Sequence, residues 1–196
     1  DETCWWDWKN QSNYAVSKYL GEIEVWRGFA EGLSGFIVNP SLIIGPGIWD
    51  AGFGTIINKS KLGTPFYPPG SCGLIDVNDL VQIMIKIMNS TITNERFIIN
   101  SDHLNYKTLM GIIAQQFNKP APTIKLNKWI LKFLITLDIF WSKMKGSKIE
   151  LSTDSVNYTT NNILLNSTKI NNTIKFNYQD IKQCVISYTK KYIKEK

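Results

Sequence analysis

Short, largely apolar runs alternate with segments of helical periodicity along most of this chain, and this alternation limits the fold more than any other feature. The runs 36–38, 73–76 and 96–100 lie next to segments in which apolar residues recur every three or four positions. Such runs are typical of strands buried on both faces of a parallel sheet. The sequence therefore predicts an α/β fold in which helices connect the strands.

The first predicted helix has recognisable ends. It begins at Ser12 or Asn13, because both residue types are suitable N-caps, and it ends near Leu33, where Gly32 and Gly35 favour termination. Asn177 with Asp180 is expected to cap the last helix. Other predicted elements are a helix that ends near 62, helices over 77–89, 106–117, 128–145, 150–158 and 178–193, a short helix from 167, and a short strand over 163–165.

The composition is that of a globular protein, since 43% of the residues are hydrophobic and 19% are charged. The net charge of +6 could attract a polyanion, but the lysines are dispersed and the tight basic cluster lies over 190–196. A solvated helix end explains that cluster, so we expect no nucleic-acid partner.

The cysteines Cys4, Cys72 and Cys184 are odd in number and far apart. They form neither a disulfide framework nor a metal-ligand pattern, and a reduced, cytoplasmic setting fits them. The most apolar run, 129–141, is shorter than the roughly 20 residues that span a bilayer. We predict an amphipathic or buried helix there and no stable membrane insertion.

Tyr14 and Lys18 lie four positions apart in the first predicted helix, and residues at that spacing share a helix face. An ammonium beside a phenol stabilises the phenolate, so such a tyrosine can exchange a proton with a substrate. A core tyrosine and a surface lysine would produce the same short pattern.

The strand that begins at Phe36 is predicted to stop at Pro40, because proline cannot donate to a central ladder. The following loop, which we expect to run to Gly47, would open at the carboxyl end of the strand. Ligands bind at such edges in open α/β sheets. A plain proline and glycine turn is the alternative interpretation of the loop alone.

Four pieces of sequence, in this order and at this spacing, resemble the extended short-chain dehydrogenase/reductase family. The nearest branch is the NAD-dependent epimerase/dehydratase group that includes dihydroflavonol reductase-like enzymes. The resemblance implies the C-terminal part of a Rossmann-type NAD(P)-binding fold plus a small α/β substrate lobe. The pieces are Tyr14-Ala15-Val16-Ser17-Lys18, Val38-Asn39-Pro40-Ser41 with Gly45-Pro46-Gly47, Ile75-Asp76-Val77-Asn78-Asp79, and His103-Leu104.

The resemblance implies a catalytic role for two residues. Tyr14 would donate or accept the proton at the substrate carbonyl, and Lys18 would assist it and bind the nicotinamide ribose. Both would contact the cofactor, NAD or NADP, with NADP slightly favoured. The segment that would pass beside the nicotinamide ring consists of Asn39, Pro40, Ser41 and Leu42.

Other residues receive substrate or structural roles from the same resemblance. Trp49 and Phe53 are the candidates for contact with a small-molecule substrate. Asp76 and Asp79 are expected to fix a turn and cap a helix, and His103 is expected to cap the helix that follows it.

The chain departs from the family in one respect. No Gly-x-x-Gly-x-x-Gly turn occurs in it, so nothing here seats a pyrophosphate on a helix N-terminus. We therefore interpret the sequence as the C-terminal portion of a longer enzyme that is inactive alone. The expected division is 1–47 as the remnant of the dinucleotide-binding domain and 48–196 as mainly the substrate-binding lobe, with interleaved elements. A strand without its neighbours exposes an apolar edge, which favours a homodimer.

Three functions remain open at this point. The first is an NAD(P)-dependent reductase that acts on a small carbonyl or hydroxyl compound. The second is a nucleotide-sugar epimerase or dehydratase, which the aromatic character of 48–75 disfavours because sugar diphosphates usually require Arg or Lys clamps. The third is a non-catalytic binding module.

Overall fold

A computed structural model of the chain describes residues 1–4, 11–127, 130 and 159–196. Helices and strands alternate through these residues, as the sequence predicts. The helices are α1 (Asn13–Ala30), α2 (Phe53–Lys61), α3 (Val77–Met88), α4 (Tyr106–Gln116), α5 (Thr168–Ile174) and α6 (Ile181–Glu195). The strands are β1 (Phe36–Pro40), β2 (Leu42–Ile44), β3 (Phe66–Tyr67), β4 (Ser71–Asp76), β5 (Glu95–Ile99), β6 (Asp102–Asn105) and β7 (Ile124–Lys125).

The strands form three small sheets. β1 pairs in parallel with β5, with Asn39 opposite Ile98. β4 lies between β2, which is parallel to it, and β6, which is antiparallel. β3 and β7 form a separate parallel pair. The pairing of β1 with β5 joins residues 36–40 to residues 95–99, so the elements interleave along the chain.

Strand β4 separates two hydrophobic clusters. Its neighbouring residues Leu74 and Ile75 are both fully buried, and they face opposite sides because side chains alternate along a strand. Leu74 packs in a cluster with residues of α2, α4 and α6. Ile75 packs in a second cluster with residues of α3, β5 and α5. The central strand therefore fixes helices on both of its faces.

Most of the predicted helices are confirmed within a few residues. α1 begins after Ser12, whose side chain accepts a hydrogen bond from the Ala15 N–H, and Gly32 follows its end with a φ of 100°. The last helix, α6, begins three residues later than residue 178, so its N-cap is Asp180 and not Asn177. The predicted parallel strand after α1 ends at Pro40, as expected.

The structure corrects three predictions. The loop expected after Pro40 contains strand β2. His103 lies within β6 and does not cap α4, because Asn105 accepts the hydrogen bond from the Thr108 N–H instead. The strand expected over 163–165 is absent from that described stretch; the preceding residue, Asn162, makes an isolated bridge to Ser71.

The helices predicted over 128–145 and 150–158 fall almost entirely outside the described residues, as does the apolar run 129–141. In the part of the chain that the structure describes, none of the helices combines the length and apolar character needed to cross a membrane.

Candidate active site

Tyr14 and Lys18 lie in the first two turns of α1, where the structure brings their side chains together. The Lys18 Nζ lies 5.5 Å from the centroid of the Tyr14 ring. The Tyr14 side chain is 70% exposed. The pair therefore presents a phenol and an ammonium side by side on an open surface.

Glu22 continues the same face of α1 one turn after Lys18. Its Oε1 accepts hydrogen bonds from Arg96 Nη1 at 2.8 Å and from Trp26 Nε1 at 3.3 Å. Its Oε2 accepts from Asn39 Nδ2 at 3.0 Å. One carboxylate thus joins α1 to the end of β1 and to β5.

Burial and hydrogen bonding act in opposite directions on Glu22. Burial favours the neutral acid, but the hydrogen bonds from Asn39, Arg96 and Trp26 and the positive charge of Arg96 outweigh it, so the pKa of Glu22 lies below its ordinary value. Glu22 is therefore a carboxylate at neutral pH, paired with a guanidinium that is always charged.

The chain changes sheets at Ser41. β1 ends at Pro40 and β2 begins at Leu42, so Ser41 is the only residue between them. Its N–H donates to the Ile99 carbonyl at 2.9 Å, which holds the junction against the end of β5. The Ser41 Oγ is buried and has no hydrogen-bond partner among the described residues. The segment Asn39–Leu42 is thus a tight junction at the carboxyl end of β1.

Glycine is required just after this junction. A Cβ on Gly45 would lie 2.7 Å from Cγ1 of Val77, which is too close for a carbon contact. Gly47 has a φ of 127°, a conformation that favours glycine. The turn after β2 therefore packs directly against the start of α3.

Trp49 and Phe53 are core residues in this structure, with exposures of 7% and 4%. The Trp49 Nε1 donates to Glu195 Oε2 at 2.8 Å, and the indole ring meets the Tyr192 ring edge-on at 5.3 Å. Trp49 therefore fastens α6 to the segment before α2, and Phe53 lies in the same hydrophobic cluster. Their assignment to substrate binding stays a prediction.

The acidic pair at the start of α3 is structural, as the sequence predicts. Asp76 caps α3 by accepting hydrogen bonds from the Asn78 and Asp79 N–H groups. Asp79 accepts hydrogen bonds from the Gln179 backbone N–H and side-chain amide. Elsewhere, His103 Nε2 accepts a hydrogen bond from the Leu165 N–H at 2.9 Å, which gives the histidine a structural role as well.

The sequence analysis singled out neither Glu22 nor Arg96. The structure brings Asn39 next to Glu22, and Glu22 next to the helix face of Tyr14 and Lys18. The signal in the sequence was the further spacing of four residues from Lys18 to Glu22, together with the charge of Arg96 in an otherwise apolar strand. Among the described residues, no group of three or more His, Cys, Asp and Glu side chains is placed to hold a metal ion.

Among characterised proteins, the chain is similar in sequence to reductases. The chain is 28% identical to cinnamoyl-CoA reductase 2 of Arabidopsis thaliana over 137 residues, which are 63% of this chain and 40% of that protein. It is 27% identical to tetraketide alpha-pyrone reductase 2 of the same plant over 110 residues, which are 53% of this chain and 34% of that protein. The chain thus spans well under half the length of these relatives. No protein-family model matches it.

Solved structures share the fold. A nucleoside-diphosphate-sugar epimerase from Pseudomonas aeruginosa superposes with a TM-score of 0.75 at 18% identity, over 98% of this chain and 60% of that chain. A dTDP-glucose 4,6-dehydratase from Bacillus anthracis, in complex with NAD, superposes with a TM-score of 0.66 at 10% identity. The match covers 99% of this chain and 57% of that chain. RMD from Pseudomonas aeruginosa, complexed with NADPH, superposes with a TM-score of 0.64 at 13% identity. The match covers 95% of this chain and 58% of that chain.

Proposed function

From the premise that this chain belongs to the extended short-chain dehydrogenase/reductase family, we propose that it carries the proton-transfer residues of an NAD(P)-dependent oxidoreductase. The reaction is hydride transfer between a nicotinamide and a small carbonyl or hydroxyl compound. The observation that supports the proposal most directly is the contact of Lys18 with the Tyr14 ring on an open helix face whose next turn is tied to Asn39.

The residues present fit the nicotinamide end of such a cofactor. Lys18 offers an exposed ammonium for ribose hydroxyls. The Ser41 Oγ, in the junction that follows β1, is a buried polar atom that the described part of the chain leaves without a partner. We assign Tyr14, Lys18 and the segment Asn39–Leu42 to this end. When bound, the cofactor supplies or accepts the hydride. A glycine-rich turn for the pyrophosphate does not occur in these 196 residues.

Tyr14 handles the proton in this proposal. In the direction of carbonyl reduction, its hydroxyl donates a proton to the substrate oxygen as negative charge develops there, and the Lys18 ammonium stabilises the phenolate that remains. In the reverse direction, the phenolate accepts the proton of the substrate hydroxyl. NAD and NADP are both retained as cofactors, and NADP is slightly favoured.

The remaining assignments concern the substrate side, the domain division, the location and the oligomeric state. Trp49 and Phe53 are proposed for the substrate side, although both are packed in the core. We propose the first 47 residues as part of the dinucleotide-binding region and residues 48–196 as mainly the substrate lobe, with β5 interleaved into the first through its pairing with β1. A cytoplasmic location and a homodimer complete the proposal.

The test is an activity assay on the product of the longest natural reading frame that contains these residues, beside the 196-residue chain. Cinnamoyl-CoA and an alpha-pyrone tetraketide, suggested by the names of the relatives, are offered with NADPH and with NADH. We expect Tyr14→Phe to lower kcat by about 10²–10⁴-fold, the usual contribution of a positioned acid or base. Tyr67→Phe, at a tyrosine outside the proposed site, serves as the control. Equal turnover by Tyr14→Phe and the unaltered protein would remove Tyr14 from the mechanism.

Two other outcomes identify the competing functions. Turnover of UDP-sugars in place of the carbonyl compounds indicates an epimerase or dehydratase. Binding of neither cofactor by the longest product indicates a non-catalytic module.

A further inference from the structure

The face of α1 that carries Tyr14 and Lys18 continues to Glu22. The three residues are spaced by four, so they lie along one side of the helix at steps of about 6 Å. Glu22 is the member of this row that binds the rest of the protein. Its carboxylate meets β1 through Asn39 and β5 through Arg96, which come from the two strands of one parallel sheet.

This ion pair differs from the others on the helix in its burial. The Glu22 side chain is 16% exposed and that of Arg96 is 26% exposed, whereas Glu24 and Arg27, which pair on the solvent side of α1, are 60% and 67% exposed. Water and salt screen an exposed pair strongly and a sheltered pair much less. The Glu22–Arg96 pair is therefore the one that can hold the helix in place.

Apolar packing holds α1 mainly at its other end. Among the residues of this helix, Phe29 is the buried one, and it lies in the last turn. Leu20, Ile23 and Trp26 are all at least 37% exposed. Glu22 supplies the ion pair that ties this part of α1 to the sheet.

We propose that Glu22 is a positioning residue for the reaction described above. Its carboxylate fixes the distance and rotation of α1 relative to Asn39, and so sets where the Tyr14 hydroxyl and the Lys18 ammonium lie relative to the end of β1. This role rests on the proposed function. It assigns to Glu22 no contact with substrate or cofactor.

The test compares Glu22→Gln with Glu24→Gln, the same substitution two residues along the same helix, in the product of the longest natural reading frame. Glu22→Gln keeps the side-chain size but removes the charge that pairs with Arg96. We expect it to lower kcat about 10- to 100-fold, because a misplacement of about 1 Å at the reacting groups costs on that order. The KM for the cofactor changes less than about threefold, since backbone contacts of the 39–42 segment are kept. Glu24→Gln leaves both constants unchanged.

A double-mutant cycle separates positioning from general damage. If Glu22 acts through Arg96, the loss in kcat for Glu22→Gln plus Arg96→Gln is close to that of one change alone. Additive losses contradict the role of the pair. A rise in the KM for the cofactor without a fall in kcat contradicts the positioning role.

Hydrogen exchange on the 196-residue chain supplies a second measurement that needs no turnover. We expect Glu22→Gln to raise exchange of the first turns of α1 at least about tenfold over Glu24→Gln, with α3 unchanged. If the unaltered protein is active, Tyr14→Phe is inactive and Glu22→Gln retains full kcat, the positioning role is wrong and the proposed function stands. If the product of the longest reading frame shows no turnover, the proposed function fails. Equal exchange of α1 in Glu22→Gln and Glu24→Gln then overturns the role of Glu22 as well.

Discussion

The Tyr188 hydroxyl donates a hydrogen bond to Asp76 Oδ2 at 2.6 Å and so joins the last helix to the start of α3. Asp76 is fully buried, and its other oxygen caps α3. The Asn78 side-chain amide donates in turn to the Tyr188 hydroxyl. Burial and the adjacent Asp76 carboxylate raise the pKa of Tyr188, so its hydroxyl keeps its proton and remains a donor at neutral pH.

We therefore expect Tyr188→Phe to lower the free energy of unfolding by about 1–3 kcal/mol, because it leaves a buried carboxylate with one donor fewer. Asp76→Ala removes the cap as well, and we expect a larger loss. Denaturant unfolding at pH 7 measures both.

Tyr14→Phe is the matched control for the first prediction. It removes the same hydroxyl from a side chain that is 70% exposed, so we expect a change within about 0.5 kcal/mol. Equal losses at positions 14 and 188 would show that the bond to Asp76 contributes no stability.

Local sequence patterns identified the elements whose signals lie within a few residues. Asp76 followed by a helical pattern predicts α3, and the structure has that cap and that helix. Phe36–Val38 after a helix predicts a parallel strand, which β1 is. In these cases, the capping residue or the apolar period within the segment itself determines its secondary structure.

The sequence could not predict elements that exist because of distant partners. β6 contains Asp102 and His103 and has no apolar alternation; it is a strand because it pairs with β4. The role of Glu22 was missed for the same reason, since its partners Asn39 and Arg96 lie 17 and 74 residues away.

Two glycines in helices should respond to alanine in opposite directions. A Cβ on Gly54 would lie 2.3 Å from the Trp49 carbonyl oxygen, a backbone atom that cannot easily move, whereas a Cβ on Gly21 meets nothing within 4 Å. We expect Gly54→Ala to destabilise the fold by about 1–3 kcal/mol. Gly21→Ala should stabilise it by about 0.5–1 kcal/mol, because alanine loses less backbone entropy in a helix. Thermal unfolding of the two variants measures both changes in stability. Destabilisation by Gly21→Ala would contradict the open surroundings of that position.

The three thiols should differ in reactivity. Cys4 is exposed, whereas burial raises the pKa of Cys72 to about 11, and burial with the nearby Asp76 raises that of Cys184 to about 11. Because only the thiolate reacts, we expect iodoacetamide at pH 8 to label Cys4 at least about 100-fold faster than the other two. Peptide mass spectrometry over time measures the rates, and labelling in denaturant, where all three should react alike, is the control. Fast native labelling of Cys184 would contradict its burial on the inner face of α6.

Glu22 should make stability depend on acid in a defined direction. Its pKa in the folded protein lies below the ordinary 4.5, because its hydrogen bonds and Arg96 outweigh the effect of burial. A carboxyl with a depressed folded pKa stabilises the fold above its unfolded pKa, and that stabilisation is lost as the pH falls through the folded pKa. The unaltered protein should therefore exceed Glu22→Gln by about 1–3 kcal/mol in unfolding free energy at pH 7, a range typical of hydrogen bonds to charged groups. Below pH 4.5 the difference should shrink, because protonated Glu22 and glutamine then carry the same charge.

Urea unfolding at pH 7, 4.5 and 3 measures this difference in unfolding free energy. Glu24→Gln, which alters an exposed pair, should show little difference at any of these pH values. A gap between the unaltered protein and Glu22→Gln that stays constant from pH 7 to 3 would mean that side-chain shape, and not the charge paired with Arg96, holds α1 to the sheet.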